Sequence, residues 1–348
     1  MANLKDVARL AGVDPSTVSR VLRNEWVDVV RPETRDRIVK AAAELGYRPN
    51  AVAAGLRTKR TNTLGLIVPD LDNLGFADVS HGVQAASAEA GYLVLLADGR
   101  VVAREEELLE RLVFEGRVDG LLLAYAQRED RFVAQLAHHD VPVVMVNRRS
   151  EGAPGFVVVD DRLGAELAVR HLHDLGHRSI GFVGGPLEFD TGRRRDAGFR
   201  ETLATLGLPL REEWIADGEY TEPGGYAAAL RILDARGSDG PTGLFAANLM
   251  SGLGALRAIR ERGLRVPDDI SLVAMDEHVI ADHTNPPITT IAMPLYKMGV
   301  AAVEMLLDAI EGRQPVRNLM IEEEPRVVRR ASSAAPQQSG PGRGMNVS

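Results

Sequence analysis

Residues 1–22 have the sequence MANLKDVARLAGVDPSTVSRVL, which determines the fold of the N-terminal part of this chain. One apolar helix face is formed by four residues spaced i, i+3, i+4 and i+7: Leu4, Val7, Ala8 and Ala11. Gly12 follows, where a helix that ends needs a left-handed residue. Asp14 can then cap a second helix, and Pro15 occupies its first position, where the missing N–H costs nothing. The stretch therefore predicts two short helices joined by a tight turn.

The second predicted helix has an apolar stripe and a polar face. Val18, Val21 and Leu22 form the stripe. The other side carries small polar side chains and one guanidinium, from Pro15, Ser16, Thr17, Ser19 and Arg20. Such a face suits base edges and phosphates, so the pattern predicts a helix-turn-helix whose second helix enters a DNA major groove. A third helix, over about Pro32–Leu45, completes a small all-α head.

The distribution of charge agrees with a DNA-binding head. The 348 residues carry a net charge of −8, which by itself argues against a nucleic-acid partner. Residues 1–60, however, contain 12 basic and 7 acidic residues, whereas the remainder contains 29 basic and 42 acidic ones. The basic excess is therefore confined to the segment that carries the helix-turn-helix, and the acidic body limits indiscriminate binding to DNA.

Length and composition limit the remaining possibilities. A chain of 348 residues can form two or three domains. It has no cysteine, which excludes a disulfide framework and fits a reducing cytoplasm. No stretch approaches roughly 18 uninterrupted apolar residues, and the N-terminus lacks the hydrophobic middle of a signal peptide. We therefore expect a soluble, cytoplasmic, nucleoid-associated protein with no membrane partner.

From Thr63 onward, buried strands and amphipathic helices alternate. The apolar runs that predict strands are TLGLIVP, YLVLLA, DGLLLAY, VPVVMVN, SIGFVGG, TGLFAAN and DISLVAMD. Amphipathic stretches such as Phe76–Ala90, Asp161–Leu175 and Leu249–Arg262 separate them. Strands and helices in alternation predict parallel sheets that are covered on both faces.

The same residues carry a family resemblance. LKDVARLAGVDPSTVSRVL, followed by PETRDRIVKAAAELGYRPNAVAAGLRTKRTNTLGLIVPD, resembles the lactose/galactose repressor family of bacterial transcription regulators, and the resemblance continues to about Arg330. It implies a head at 1–48, a hinge helix and linker at 49–62, and a periplasmic-binding-protein-like core at 63–330. The core would consist of two doubly wound parallel-sheet subdomains, one at 63–162 and 290–322, the other at 163–289 and 323–330. The Ser/Pro/Gly/Gln-rich tail, 331–348, is predicted to be disordered.

The resemblance also implies which residues contact DNA. In the head they are Leu4, Lys5, Pro15, Ser16, Thr17, Ser19 and Arg20, with Pro15 and Ser16 selecting the sequence. In the hinge they are Asn50, Ala53, Leu56 and Arg57, where Leu56 would enter the minor groove as an apolar wedge and kink the duplex. One head makes too few contacts for tight binding, so we expect a homodimer on a pseudo-palindromic operator. The tail has no leucine repeat that would predict a tetramer.

A small-molecule effector is expected in the cleft of the core, at the carboxyl ends of the strands. The candidate contacts are Asn73, Phe76, Asn147, Arg193, Arg195, Tyr220, Asn248 and Asp276. Arg195 matches the sugar-gripping arginine of the family, with Arg193 a second choice, and Tyr220 matches an aromatic that stacks on the ligand. The chain departs from the family at Leu249, where Asp is common, and around Asp276. The effector class therefore stays open among sugars, nucleosides and other metabolites.

Two other functions fit the sequence less well. An enzyme is not expected, because no GxSxG, P-loop or GxGxxG occurs in the right context, and no catalytic residue, metal ligand or cofactor is assigned. His173 and His177 have metal-ligand spacing, but HLHDLGH is a common helix-to-strand passage in the family, so we assign them a structural role. A stand-alone sugar receptor would not need residues 1–57. The expected function is thus a DNA-binding regulator, foremost a repressor of carbohydrate-metabolism genes; the alternative is an activator, or a regulator that responds to a nucleoside or another non-sugar metabolite.

Overall fold

The computed structural model describes residues 2–22, 29–48, 60–102, 115–125, 133, 136, 141–237 and 240–337. The chain divides into two compact units, Met1–Asn62 and Thr63–Ser348, at the predicted end of the linker. The four predicted hinge contacts, Asn50, Ala53, Leu56 and Arg57, lie outside the described residues. Among the helices within the described ranges, none is long and apolar enough to cross a membrane.

The head consists of three helices, α1 (Leu4–Ala11), α2 (Pro15–Leu22) and α3 (Pro32–Glu44), as the sequence predicts. Gly12 ends α1 with a left-handed φ of 64°, and the Asp14 carboxylate accepts a hydrogen bond from the Ser16 N–H at 2.7 Å. The predicted end and start signals are therefore confirmed. The apolar faces of the three helices form one core: Val7, Ala8, Ala11, Val18, Val21, Ile38, Ala41 and Ala42.

The second unit contains two six-stranded sheets. The first sheet has the order β11-β5-β4-β3-β1-β2, with bounds β1 Thr63–Val68, β2 Leu93–Asp98, β3 Gly120–Leu123, β4 Val143–Val146, β5 Phe156–Val158 and β11 Asn318–Met320. The second has the order β12-β10-β9-β8-β6-β7, with bounds β6 Ile180–Gly184, β7 Ile215–Asp217, β8 Gly243–Ala246, β9 Ser271–Met275, β10 Thr289–Ala292 and β12 Arg326–Val328. All pairings are parallel except that of β12 with β10, which confirms the doubly wound architecture.

Helices cover both sheets. Their bounds are α4 Gly75–Glu89, α5 Asp161–Asp174, α6 Asp190–Thr205, α7 Glu222–Asp234, α8 Leu249–Glu261 and α9 Leu295–Ile310. Helices α4 and α9 pack on the first sheet and together form the first half of the core; α5 to α8 pack on the second sheet and form the second half. The close contact of α4 with α9 requires glycine, because a Cβ on Gly82 would lie 2.1 Å from the Tyr296 carbonyl oxygen.

The boundary between the two halves differs from the predicted one. We placed residue 290 at the return of the chain to the first half, but β10 (Thr289–Ala292) lies in the second sheet, between β9 and β12. The chain therefore returns after Ala292. The strand TTIA has only four residues and no strong periodicity. Its backbone hydrogen bonds to β9 and β12 assign it to the second sheet, and the sequence does not reveal them.

The prediction of a disordered tail is wrong for residues 331–337, which we call the C-terminal clip. Ser332 is fully buried and accepts a hydrogen bond at its carbonyl from the Leu272 N–H, at 2.8 Å. Its hydroxyl accepts from the Thr289 N–H at 2.8 Å and donates to the Leu272 carbonyl at 2.5 Å. The clip is therefore bonded to β9 through the backbone and hydroxyl of Ser332, and to β10 through the hydroxyl. The small residues that predicted disorder do not prevent these bonds.

Two histidines of the HLHDLGH run, His171 and His177, help to hold this clip. His171 Nε2 lies 2.9 Å from the Ser333 hydroxyl, and His177 Nε2 lies 3.0 Å from the Ala334 carbonyl oxygen. Burial lowers the pKa of both imidazoles. Neutral histidines with polar protein partners have a structural role, as the sequence analysis proposed, and among the described residues no group of side chains is arranged to hold a metal ion.

We expect Ser332→Ala to lower the free energy of unfolding by about 1–3 kcal/mol, because it leaves the buried Thr289 N–H without an acceptor. Urea unfolding followed by circular dichroism measures the change. Thr205→Ala is the matched control, since that exposed hydroxyl only donates to the Glu201 carbonyl within α6. Equal losses in the two variants would show that the clip does not stabilise the core.

Candidate functional site

A pocket lies between the two halves of the core, at the carboxyl ends of both sheets. Its walls come from the segments after β1, β4, β6, β7, β9 and β10, and the lining residues are Asn73, Gly75, Phe76, Asn147, Arg148, Thr191, Arg195, Tyr220, Asp276 and Leu295. The cavity between them measures about 20 Å³, so the two halves lie close together around it. Parallel strands bring their carboxyl ends to one edge of a sheet, so the topology collects these polar side chains in one place.

The structure brings six of the eight predicted effector contacts to this pocket: Asn73, Phe76, Asn147, Arg195, Tyr220 and Asp276. Arg193 does not line it, because its side chain turns outward and donates to the Leu187 carbonyl. Asn248 does not line it either. Its amide caps α8 by accepting from the Ser251 N–H at 2.9 Å and donates to the Tyr220 carbonyl at 2.9 Å, so Asn248 supports the pocket from behind.

Four lining residues were not among the predicted contacts: Gly75, Arg148, Thr191 and Leu295. Arg148 directly follows Asn147 at the end of the β4 strand, and Thr191 lies in the first turn of α6. Both lie after strands, the positions at which the sequence predicts effector contacts. No sequence signal identifies Leu295 or Gly75, which reach the pocket only through the packing of α9 and α4.

A buried network of charges forms the wall on the side of the second half. The carboxylate of Asp161 is fully buried and lies 2.6 Å from Arg195 Nε through one oxygen and 2.6 Å from Arg194 Nη1 through the other. Arg195 also donates to the Ala247 carbonyl at 2.5 Å, and its Nη2 lies 3.7 Å from Asp276 Oδ1. Burial lowers the pKa of Arg195, but the two carboxylates outweigh burial and raise that pKa above its ordinary value.

Asp276 lines the pocket, and its Oδ1 accepts no hydrogen bond from the described residues, although it lies within ion-pair distance of Arg195. Its backbone is left-handed, with φ 72°, and its N–H donates to the Ile291 carbonyl at 3.0 Å. Burial raises the pKa of this carboxyl to about 6, with Arg195 opposing the rise and Asp161 and Asp78 adding to it. A buried carboxyl with a perturbed pKa in a cleft is typical of a ligand-binding position.

Arg148 and Asn147 carry the other unpaired polar atoms of the pocket. The guanidinium carbon of Arg148 lies 3.9 Å from the centroid of the Phe189 ring, and the side chain is 3% exposed. Its Nε and Nη1, and Oδ1 of Asn147, have no hydrogen-bond partner among the described residues. Burial lowers the pKa of Arg148 to about 10. Buried polar atoms without partners are costly, so these atoms are suited to receive a polar ligand.

Tyr220 supplies an aromatic wall. Its ring centroid lies 5.5 Å from the guanidinium carbon of Arg195, and its hydroxyl donates to the Thr191 hydroxyl at 3.4 Å. Burial raises the pKa of this phenol. The ring fits only because Gly185 has no side chain, since a Cβ there would lie 2.2 Å from Cζ of Tyr220.

The head presents the predicted DNA contacts at its surface. Lys5 and Ser16 are exposed. The remaining predicted contacts are partly exposed: Leu4, Pro15, Thr17, Ser19 and Arg20. None of the seven side chains belongs to the buried core of the head. Helix α2 thus has an accessible polar face, which is the requirement for insertion into a groove.

Comparison with known proteins identifies the family. Residues 3–50 match the family described as bacterial regulatory proteins, lacI family, and residues 169–333 match a periplasmic binding protein-like domain. The HTH-type transcriptional repressor PurR of Erwinia tasmaniensis is 34% identical over 337 residues, which cover 96% of this chain and 97% of PurR.

Two solved structures are also similar to this chain. The transcriptional regulator CelR in complex with cellobiose is 33% identical, with a TM-score of 0.73 and coverage of 96% of this chain and 100% of CelR. The Lac repressor dimer bound to operator and the anti-inducer ONPF is 28% identical, with a TM-score of 0.80 and coverage of 96% and 99%. The chain belongs to the lacI family: it is a helix-turn-helix DNA-binding regulator with an effector-binding, periplasmic-binding-protein-like core, and it is not an enzyme.

Proposed function

We propose that this regulator is a repressor whose operator affinity changes when a small heterocyclic metabolite, of the nucleobase or nucleoside class, occupies the pocket. The observation that carries the proposal is the set of unpaired buried polar atoms in the pocket. Oδ1 of Asn147 needs a hydrogen-bond donor, and Nε and Nη1 of Arg148 need an acceptor; Oδ1 of Asp276 accepts no hydrogen bond, because Arg195 Nη2 lies 3.7 Å away.

The edge of a nucleobase offers both kinds of partner, because ring N–H and amino groups donate while carbonyl and ring nitrogen atoms accept. Its two faces suit aromatic side chains, and Phe76 and Tyr220 both line the pocket. The similarity to the repressor PurR along almost the whole chain supports this class and the assignment as a repressor.

A sugar is the second candidate, and it was the first choice from the sequence. Each hydroxyl of a sugar both donates and accepts, so it could also pair with Asn147, Arg148 and Asp276. The similarity to the CelR–cellobiose complex favours it. A sugar, however, makes less use of two aromatic rings in one small pocket than a flat heterocycle does.

For DNA binding, we propose that α2 contacts the major groove through Pro15, Ser16, Thr17, Ser19 and Arg20, with Leu4 and Lys5 on the backbone. Asn50, Ala53, Leu56 and Arg57 would contact the minor groove; this part rests on the sequence alone. The similarity to an operator-bound Lac repressor dimer supports a homodimer on a pseudo-palindromic site. Effector binding would then alter the spacing of the two hinge segments and thereby the operator affinity.

Isothermal titration and operator anisotropy on the full-length chain test the proposal. A duplex selected from a random pool supplies the operator, and the panel contains adenine, guanine, hypoxanthine, their ribonucleosides, ribose, glucose and cellobiose. We expect a heterocycle to bind and to change operator affinity by about 5- to 150-fold, which is the usual range of such coupling. Binding by a sugar alone would support the second candidate. Binding by no member of the panel would contradict both.

A further inference from the structure

One corner of the core joins its two halves through contacts that do not involve a ligand. Residues 147–149, which follow β4 in the first half, contact residues 189–194, at the start of α6 in the second half; we call this contact the cleft latch. Arg194 Nη2 donates to the Asn147 carbonyl at 2.8 Å, and the Arg149 N–H donates to Asp190 Oδ2 at 3.2 Å. The stacking of Arg148 on Phe189 is the third contact.

Arg194 is the centre of the latch. Besides Asn147, its guanidinium donates to the Val159 carbonyl at 2.7 Å and to Asp190 Oδ2 at 2.9 Å. It also forms the 2.6 Å ion pair with Asp161. One side chain, 9% exposed, thus joins the first half, the segment that crosses between the halves and the second half. The bonds to backbone carbonyls are charge-assisted because the guanidinium is a cation. Asp161 and Asp190 balance its charge.

The latch has a direct consequence for the pocket, although Arg194 does not line it. Asn147 has a left-handed backbone, with φ 66°, and its carbonyl accepts from Arg194. The side chains of Asn147 and Arg148 carry unpaired atoms that face a ligand. The bond from Arg194 to Asn147 joins the two halves, so any separation that moves the Asn147 carbonyl away from α6 breaks it.

We propose that Arg194 is a positioning residue that holds the cleft closed and presents Asn147 and Arg148 to the effector. Closure then does not depend on the effector alone, because the protein supplies part of the closing free energy itself. The effector dissociation constant measured for the whole protein is the intrinsic constant divided by the fraction of molecules that are closed. The closing role of Arg194 follows from the geometry, whereas its effect on effector affinity rests on the proposed function.

Intramolecular energy transfer tests closure without any ligand. The chain has no cysteine, so Leu71→Cys and Val279→Cys introduce two exposed dye sites, one in each half. Labelled chains are diluted with unlabelled ones so that transfer within one subunit is measured. We expect Arg194→Met to reduce transfer, with the closed-to-open ratio falling about tenfold or more, because only the closed form contains the charge-assisted bond between halves.

Arg200→Met is the matched control, since this arginine of the same helix bonds to Asp196 and Glu212, both in the second half. It should leave transfer unchanged. Should Arg194→Met fail to fold by circular dichroism, Asp190→Ala breaks the bond from Arg149 instead and is expected to lower transfer as well. Unchanged transfer in a folded latch variant would overturn the proposal.

Effector titration gives the second measurement. With the compound that binds the wild type, Arg194→Met should raise the dissociation constant by the factor by which the closed fraction measured by energy transfer falls, while Arg200→Met should not. If no compound of the panel binds the wild type, the proposed function fails but the transfer experiment still decides whether the latch exists. If a compound binds both variants equally well despite lower transfer, Arg194 affects closure without positioning the pocket, and the second half of the proposal is wrong.

Discussion

Asp276→Asn is expected to remove most of the effector response while leaving operator affinity without effector close to that of the wild type. Asp276 lines the pocket and its Oδ1 accepts no hydrogen bond from the described residues, since Arg195 Nη2 lies 3.7 Å away, so a ligand N–H or O–H can bond to this carboxylate. An amide is isosteric, but it carries no charge and exposes two N–H donors in one orientation. A charge-assisted hydrogen bond contributes about 1.5–3 kcal/mol, so the effector dissociation constant should rise at least about tenfold. Anisotropy with labelled operator, titrated with effector, measures both affinities.

Asp217→Asn is the matched control for this variant. Asp217 also ends a strand of the second sheet, but it is exposed and accepts a hydrogen bond from the Glu219 N–H instead of lining the pocket. It should retain the full response. An Asp276→Asn protein with normal operator affinity and normal effector response would remove Asp276 from the binding site and with it the assignment of the pocket.

Asp276→Asn should also be more stable than the wild type at neutral pH. The pKa of Asp276 is raised by burial from 3.8 to about 6 in the folded protein, so the folded state binds this proton more tightly than the unfolded state does. The wild type therefore loses stability as the pH rises from about 4 to about 6. Asparagine does not titrate, and the difference between the proteins should grow by an amount on the order of 2 kcal/mol over that interval. Urea unfolding at about pH 4 and about pH 6, the limits of the interval, measures it.

Much of this fold follows from the periodicity of the sequence. Helix α2 and the strand β1 (Thr63–Val68) are strongly patterned, and their local pattern agrees with their tertiary environment. Strands such as Phe156–Val158 and Ile215–Asp217 have three residues, too few for a pattern, and exist because a neighbouring strand pairs with them. Local periodicity cannot predict an element that only tertiary hydrogen bonds define.

The candidate site was predictable in its positions and less so in its details. Strand ends were the right places to search, but the run Arg193-Arg194-Arg195 illustrates the limit. Successive helix residues point about 100° apart, so the spacing alone allows several of the three to face inward. The rotation of α6 about its axis determines which arginine faces the first half. It places Arg195 at the pocket, Arg194 in the latch and Arg193 outside.

Adjacent aspartates present the same difficulty and lead to the largest stability effect that we expect. Asp160 caps α5 by accepting a hydrogen bond from the Leu163 N–H at 3.0 Å, whereas Asp161 is fully buried between two arginines. Nothing in the dipeptide distinguishes them. Asp160→Ala should cost about 1 kcal/mol, as the loss of a helix cap usually does. Asp161→Leu should cost about 3–5 kcal/mol, because it leaves buried positive charge without its acceptor.

Urea unfolding of both variants measures the contrast between the two aspartates. A double variant, Asp161→Leu with Arg195→Met, tests the cause: if uncompensated charge is responsible, removing Arg195 as well should recover part of the loss, so that the two effects are less than additive. The pair would then be replaced by apolar groups, and well-packed apolar replacements of buried ion pairs are often neutral. Equal, small losses for Asp160→Ala and Asp161→Leu would mean instead that Arg194 and Arg195 find other acceptors, such as Asp190, Asp276 and backbone carbonyls, when Asp161 is absent.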